Sequence, residues 1–115
     1  VRIMAYDESQ AQRMRVALGN APTITEKRMM GAICFFLNGN MIGGTDNWSG
    51  GEPRFMFRVG KGIDQAELPP HGELMIQGER VMTGFYLVNC ARCDDGLLAR
   101  WLDIALGHAA KLAPK

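Results

Sequence analysis

The sequence has few cysteines, little excess charge and no long apolar run. Its 115 residues include three cysteines, too few for a small secreted disulfide scaffold, so we expect a reducing cytoplasm. The formal net charge is +1, which gives no strong overall field for nucleic acid or an anionic membrane. No apolar run approaches the roughly 20 residues that span a bilayer, and the first ten residues lack a signal-peptide core. We therefore expect no membrane partner.

The composition is that of one globular domain, predicted to span residues 1–115. Hydrophobic residues make up 47% and charged residues 22%, which are ordinary values for such a domain. Eight methionines is a high count. Because methionine fills irregular gaps and most of these residues lie in apolar runs, we expect them in the core. The alternative is an adaptable binding surface.

A first helix is predicted over residues 7–19. Asp7 is a plausible N-cap, and Gln10 lies three residues later, as a capping box requires. Arg13 and Arg15 fall outside the apolar stripe of this helix and are predicted to be solvated.

The C-terminal helix has the clearest pattern. Asp94 or Asp95 is the predicted N-cap, and the helix is expected to end before Pro114. Gly107 in its interior costs about 1 kcal/mol relative to alanine. Its apolar residues recur at helical spacing, and they are Leu98, Trp101, Leu102, Ala105, Ala109 and Leu112.

Between the helices, the pattern predicts antiparallel strands. Residues 24–30 are typical of an edge strand and 32–37 of a central one. Asn38 and Gly39 predict a type I′ hairpin turn, which needs positive φ at both central residues. Residues 41–46 then return as the next strand.

The second half of the chain continues this pattern. In residues 54–60, Phe55, Phe57 and Val59 alternate with Arg54, Met56 and Arg58, as in a half-buried strand. One helical turn is expected in 61–72, and a second strand pair with a turn near Gly78 in 73–89. The fold class is therefore α+β, a two-layer arrangement in which both terminal helices pack on an antiparallel sheet.

Three glycines after the central strand do not have the spacing of a phosphate-binding loop. Gly39, Gly43 and Gly44 fit neither G-x-x-x-x-G-K-[ST] nor G-x-G-x-x-G, so no nucleotide or other cofactor is expected. Gly43 and Gly44 instead predict a bulge or a close backbone approach.

Four segments resemble the TfoX/Sxy N-terminal domain family, in the same order and at similar spacing. They are MAYDESQAQRMRVAL (4–18), TEKRMMGAICFFLNGNM (25–41), FRVGK (57–61) and LLARWLDIAL (97–106). The resemblance implies a small α+β domain of a bacterial cytoplasmic protein related to competence regulators. In full-length regulators a second domain follows, whereas this sequence ends at Lys115. The resemblance therefore implies a stand-alone domain, and it supplies no catalytic signature.

Three features shared with this family are interpreted as fold-defining. They are the Met30-Gly31 segment, the Asn38-Gly39 turn and Arg58. The loop TDNWSGGEP (45–53) is longer than the turn usual in the family.

Cys90 and Cys93 form a Cys-x-x-Cys pair. Zinc needs about four ligands, and the other candidates (Cys34, His71 and His108) show no paired spacing, so no metal site is predicted. The pair precedes a helix start, where the helix dipole can activate a thiol. The acidic residues that follow oppose a thiolate. Two structural cysteines are favoured, with thiol-redox or metal-binding chemistry as the alternative.

Candidate partner-binding residues are basic or aromatic. Arg54, Arg58 and Lys61, with Lys27 and Arg28, can form a basic patch for nucleic acid phosphates or an acidic protein. Neighbouring acidic residues favour a simply solvated face.

Trp48 lies in a glycine-rich loop, either as an interface hot spot or folded back on the domain. No catalytic triad can be assembled, so we expect a non-enzymatic regulatory or adaptor domain that binds another protein in transcriptional control. The alternatives are a small thiol or metal protein and a nucleic-acid-binding module. Exposed edge strands also allow a homodimer by sheet extension.

Overall fold

The computed structural model describes residues 7–29, 31–47 and 51–115. Its elements follow the predicted order, and the α+β class is confirmed. In chain order they are α1 (Glu8–Ala17), β1 (Ile24–Met29), β2 (Ala32–Leu37), β3 (Asn40–Asn47), β4 (Pro53–Arg58), a 3-10 turn (Gln65–Glu67), β5 (Glu73–Gln77), β6 (Arg80–Asn89), a second 3-10 turn (Cys90–Arg92) and α2 (Asp95–Lys111).

The six strands of the described ranges form one antiparallel sheet in the order β1-β2-β3-β4-β6-β5. Consecutive strands are therefore neighbours except where β6 lies between β4 and β5. Both helices contribute to a single buried core on one side of the sheet. At its centre, the ring of Trp101 in α2 stacks on Phe57 in β4, with 5.4 Å between the ring centroids.

The start of α1 is capped differently from the predicted capping box. The Asp7 carboxylate accepts a hydrogen bond from the Ser9 N–H at 2.8 Å, and the two bonds from Ser9 lower the pKa of Asp7. The Gln10 side chain, however, accepts a hydrogen bond from Arg13 at 2.9 Å. The N-cap prediction is confirmed, but the Gln10 side chain bonds to Arg13 of the same helix instead of reaching back to the N-cap.

The β2–β3 hairpin has the predicted turn. Asn38 and Gly39 have φ of 52° and 81°, both positive as a type I′ turn requires. The pairing register shifts between Phe35 and Phe36, which leaves Ile42 as the extra residue of a β-bulge. The next residue, Gly43, has no room for a side chain, because an added Cβ would lie 2.0 Å from a carbonyl oxygen of β4.

Candidate protein-binding face

The sheet has two faces of different character. Phe35, Phe55 and Phe57 point toward the helices and are buried. Because successive strand residues alternate between faces, their neighbours point to the opposite side. We call this side, on which neither helix packs, the open face. It carries the following half-buried apolar side chains: Met29, Phe36, Met41, Met56, Met75, Phe85 and Leu87.

The prediction that the methionines fill the core is wrong for most of those that the structure describes. Of the methionines within the described ranges, Met14 alone belongs to the buried core. Four others (Met29, Met41, Met56 and Met75) lie on the open face by strand alternation and register. Methionine is flexible and polarisable, and it is common on surfaces that bind varied partners. The open face therefore has the composition of an adaptable binding surface.

The predicted basic patch is divided by the fold. Arg54 is on the open face, but it pairs with Asp46 through two hydrogen bonds of 3.2 Å. Arg58 is also there, with its guanidinium 6.0 Å from the centroid of the Phe85 ring. Lys61 lies beyond the end of β4, in a loop that faces α2.

The edge strand β1 divides the remaining two cations between the faces. Lys27 pairs with Cys34 on the open face, whereas Arg28 pairs with Ile33 and points to the helix side. Both are exposed, as predicted for an edge strand. The five cations thus do not share one surface, which weakens the case for a continuous phosphate-binding stripe.

Two of the predicted residues fall outside the described ranges. Trp48, the aromatic interface candidate, is one of them, and Met30 of the Met30-Gly31 segment is the other. The hypothesis for Trp48 stays a prediction.

Cys90 begins the second 3-10 turn and Cys93 follows its last residue, and both side chains lie in the core. Both are free and buried. Burial raises the pKa of Cys90 to about 12 and that of Cys93 to about 11, although the Arg13 charge opposes the shift. Such thiols stay protonated near neutral pH, and a protonated thiol is a poor nucleophile and metal ligand. Within the described ranges, no group of three or more His, Cys, Asp or Glu side chains could hold a metal ion.

Arg13 was predicted to be solvated, and this prediction is wrong. Its guanidinium donates to the carbonyl oxygens of Cys90 and Cys93 and lies 3.0 Å from an Asp95 carboxylate oxygen. It also lies 5.2 Å from the centroid of the Phe55 ring. Arg13 therefore ties α1 to the turn that precedes α2, and nothing in the local helical pattern signals this role.

Arg15 is likewise paired rather than free. It forms an ion pair with Glu26 of β1 at 2.7 Å and another with Glu8. These pairs raise the pKa of the guanidinium. The contact fixes α1 against the edge of the sheet.

Comparison with protein-family models, curated proteins and solved structures finds no match for this chain. The resemblance to the TfoX/Sxy N-terminal domain family accordingly stays a prediction. Among the helices of the described ranges, none is both long and apolar enough to cross a bilayer.

Proposed function

We propose that this chain is a non-enzymatic regulatory or adaptor domain that binds another protein through the open face. The observation that carries the proposal is the concentration of methionines on the open face, whereas the sequence predicts them in the core. The resemblance to competence regulators supports a role in transcriptional control. The proposed partner is the apolar stripe of an amphipathic helix, because α2 packs on the opposite face of the same sheet in this way.

The chemistry of the open face supports a protein partner over nucleic acid. Its centre is apolar, formed by Met41, Met56 and Leu87 on three successive strands of the sheet. Arg58 adds a cation at its margin, and the Arg54–Asp46 pair adds no net charge. An interface with an apolar centre and a polar rim is typical of protein–protein recognition.

The test is a pull-down with a variant at the centre of the open face. Leu87→Glu places a charge where the partner helix would pack, and we expect it to weaken capture at least about tenfold. Val16→Glu is the matched control, because Val16 is 60% exposed on α1 and lies away from the open face. Both variants are first checked for unchanged thermal unfolding. Equal capture by both variants, or no captured protein with the wild type, would refute the proposal.

A second candidate, self-association, is favoured by the other apolar surface. Leu74, Ile76 and Val81 on the β5–β6 hairpin are 40%, 58% and 50% exposed, and β5 is an edge strand. An exposed apolar edge strand is a site for sheet extension by a second copy. Sedimentation of the wild type and Ile76→Lys across a concentration series tests this. A monomeric wild type at high concentration would exclude the dimer.

A further inference from the structure

A cleft on the helix side lies between α2 and the loop that follows β4. It has a volume of about 610 Å³. One wall is formed by Lys61, Gly62, Ile63 and Glu67, and the other by residues of α2 from Asp103 to Lys111. Its lining includes neither the apolar side chains of the open face nor the cysteine pair.

One end of this cleft is positively charged. The imidazole of His108 packs against Gly60, where an added Cβ would lie 2.6 Å from its Nδ1. Lys61 is the next residue in the loop, and Lys111 follows on the same side of α2. Burial, with the charges of Arg58 and Lys111, lowers the pKa of His108. Two lysines thus border this end, beside an imidazole whose charged form is disfavoured.

The other end is negatively charged. Glu67 belongs to the 3-10 turn whose Gln65 donates to the Tyr86 hydroxyl at 3.1 Å. The Tyr86 ring lies 5.8 Å from that of Trp101, which places this turn near the N-terminal half of α2. Asp103 follows Trp101 by two residues. Since a helix rises 1.5 Å per residue, Asp103 and Lys111 are separated by roughly 12 Å along α2.

Among the described residues, the charged side chains that border the cleft form no ion pairs with one another. Within the described ranges, ion pairs are formed by Arg13, Arg15 and Arg54, and none of these lines the cleft. Gly107 lies midway along the α2 wall, and a Cβ added there would have no atom within 4 Å. A glycine in a helix interior is unfavourable, and here it widens the middle of the cleft.

We propose that this cleft binds a small ligand with an anionic group at one end and an ammonium group at the other. Lys61, Lys111 and His108 contact the anionic group, and Glu67 and Asp103 contact the ammonium group. This is the chemistry of an ω-amino acid or a short zwitterionic peptide. The apolar linker of the ligand lies against Ile63, Ile104 and the bare backbone at Gly107.

The test uses three small molecules that share a carboxylate and a six-carbon chain. They are ε-aminohexanoate, hexanoate and adipate, whose far ends carry an ammonium, a methyl and a second carboxylate. The readout is the imidazole NMR signal of His108 at constant ionic strength, because a bound carboxylate raises the pKa of this group. His71, the other histidine of the chain, lies outside the cleft and is an internal control.

We expect ε-aminohexanoate to bind about threefold more tightly than hexanoate, the size expected for exposed ion pairs, and adipate to bind most weakly. Asp103→Asn should reduce the advantage of ε-aminohexanoate over hexanoate. Gly107→Leu should block binding of all three molecules without disturbing the helix. Lys27→Gln, on β1, is the matched surface control and should change nothing.

Three results would overturn the proposal. They are equal affinity for the three molecules, equal shifts of His71 and His108, and no shift of His108 at any concentration. Because the readout is direct ligand binding, its outcome does not depend on the open face.

Discussion

Arg13 provides the sharpest test of how the fold is held together. Its guanidinium connects α1 to the turn before α2, with three kinds of contact. They are hydrogen bonds to the carbonyl oxygens of Cys90 and Cys93, an ion pair with Asp95 and a cation–π contact with Phe55. Replacing Arg13 with alanine removes all of them and leaves part-buried carbonyl oxygens without this donor.

The size of the effect follows from these contacts. A hydrogen bond from a charged group contributes about 1.5–3 kcal/mol. The bond to Cys90 is long, at 3.5 Å, so the bond to Cys93 counts most. The cation–π contact adds about 0.5–1 kcal/mol. We therefore expect Arg13→Ala to lower the free energy of unfolding by about 2–4 kcal/mol.

Two further variants separate the contributions. Asp95→Ala should cost less than about 1 kcal/mol, because the Asp95 side chain is 87% exposed. The loss of unfolding free energy in Arg13→Lys should lie between the losses in Asp95→Ala and Arg13→Ala, since an ammonium cannot reproduce the planar fork of the guanidinium. Urea unfolding at neutral pH measures the free energy of unfolding of all three variants. The slope of this free energy against urea concentration should be the same as in the wild type, which checks two-state behaviour. An equal loss of unfolding free energy in Asp95→Ala and Arg13→Ala would contradict a central role for the Arg13 hydrogen bonds.

Three other predictions concern the glycines and the thiols. Gly43→Ala should destabilise the fold severely, because the new Cβ would lie 2.0 Å from a carbonyl oxygen of β4. In Gly62→Ala the new Cβ meets no atom within 4 Å, so the free energy of unfolding should change by less than about 0.5 kcal/mol. Similar unfolding temperatures for the two variants would contradict this prediction. Gly107→Ala should stabilise by up to about 1 kcal/mol, and a lower unfolding temperature would count against an open environment. The pKa values of Cys90 and Cys93 are higher in the folded protein than in the unfolded chain, so the unfolded chain loses these protons at lower pH. The contribution of the two thiols to the free energy of unfolding is therefore complete below pH 9 and declines between pH 9 and about 11 to 12. Reaction with an aromatic disulfide should correspondingly be slow at neutral pH, and rapid modification of the folded protein would contradict the burial.

Elements with local signals were predictable from the sequence. The Asn38-Gly39 turn follows from two adjacent residues that tolerate positive φ, and both have it. Asp94 caps α2 as expected, with its carboxylate accepting from the Leu97 N–H at 2.8 Å. In both cases the chemistry that determines the structure lies within a few residues of the chain.

The candidate site was harder to predict, because it depends on pairing register and long-range packing. Strand alternation already places Met56 opposite Phe55 and Phe57, but Met41 joins it only through the bulge in β3. Arg13 meets partners about 80 residues away in sequence, so no local pattern identifies it. The prediction of core methionines was wrong because an apolar residue in a strand can face either side of the sheet.

The most direct test of the open face is methyl NMR of the methionines in the complex with a captured partner. Met41 and Met56 lie on the open face, and Met14 is fully buried in the core between α1 and the sheet. We expect the partner to shift and broaden the methyl signals of Met41 and Met56 while the signal of Met14 is unchanged. A bound partner that leaves Met41 and Met56 unaffected would contradict binding through this face.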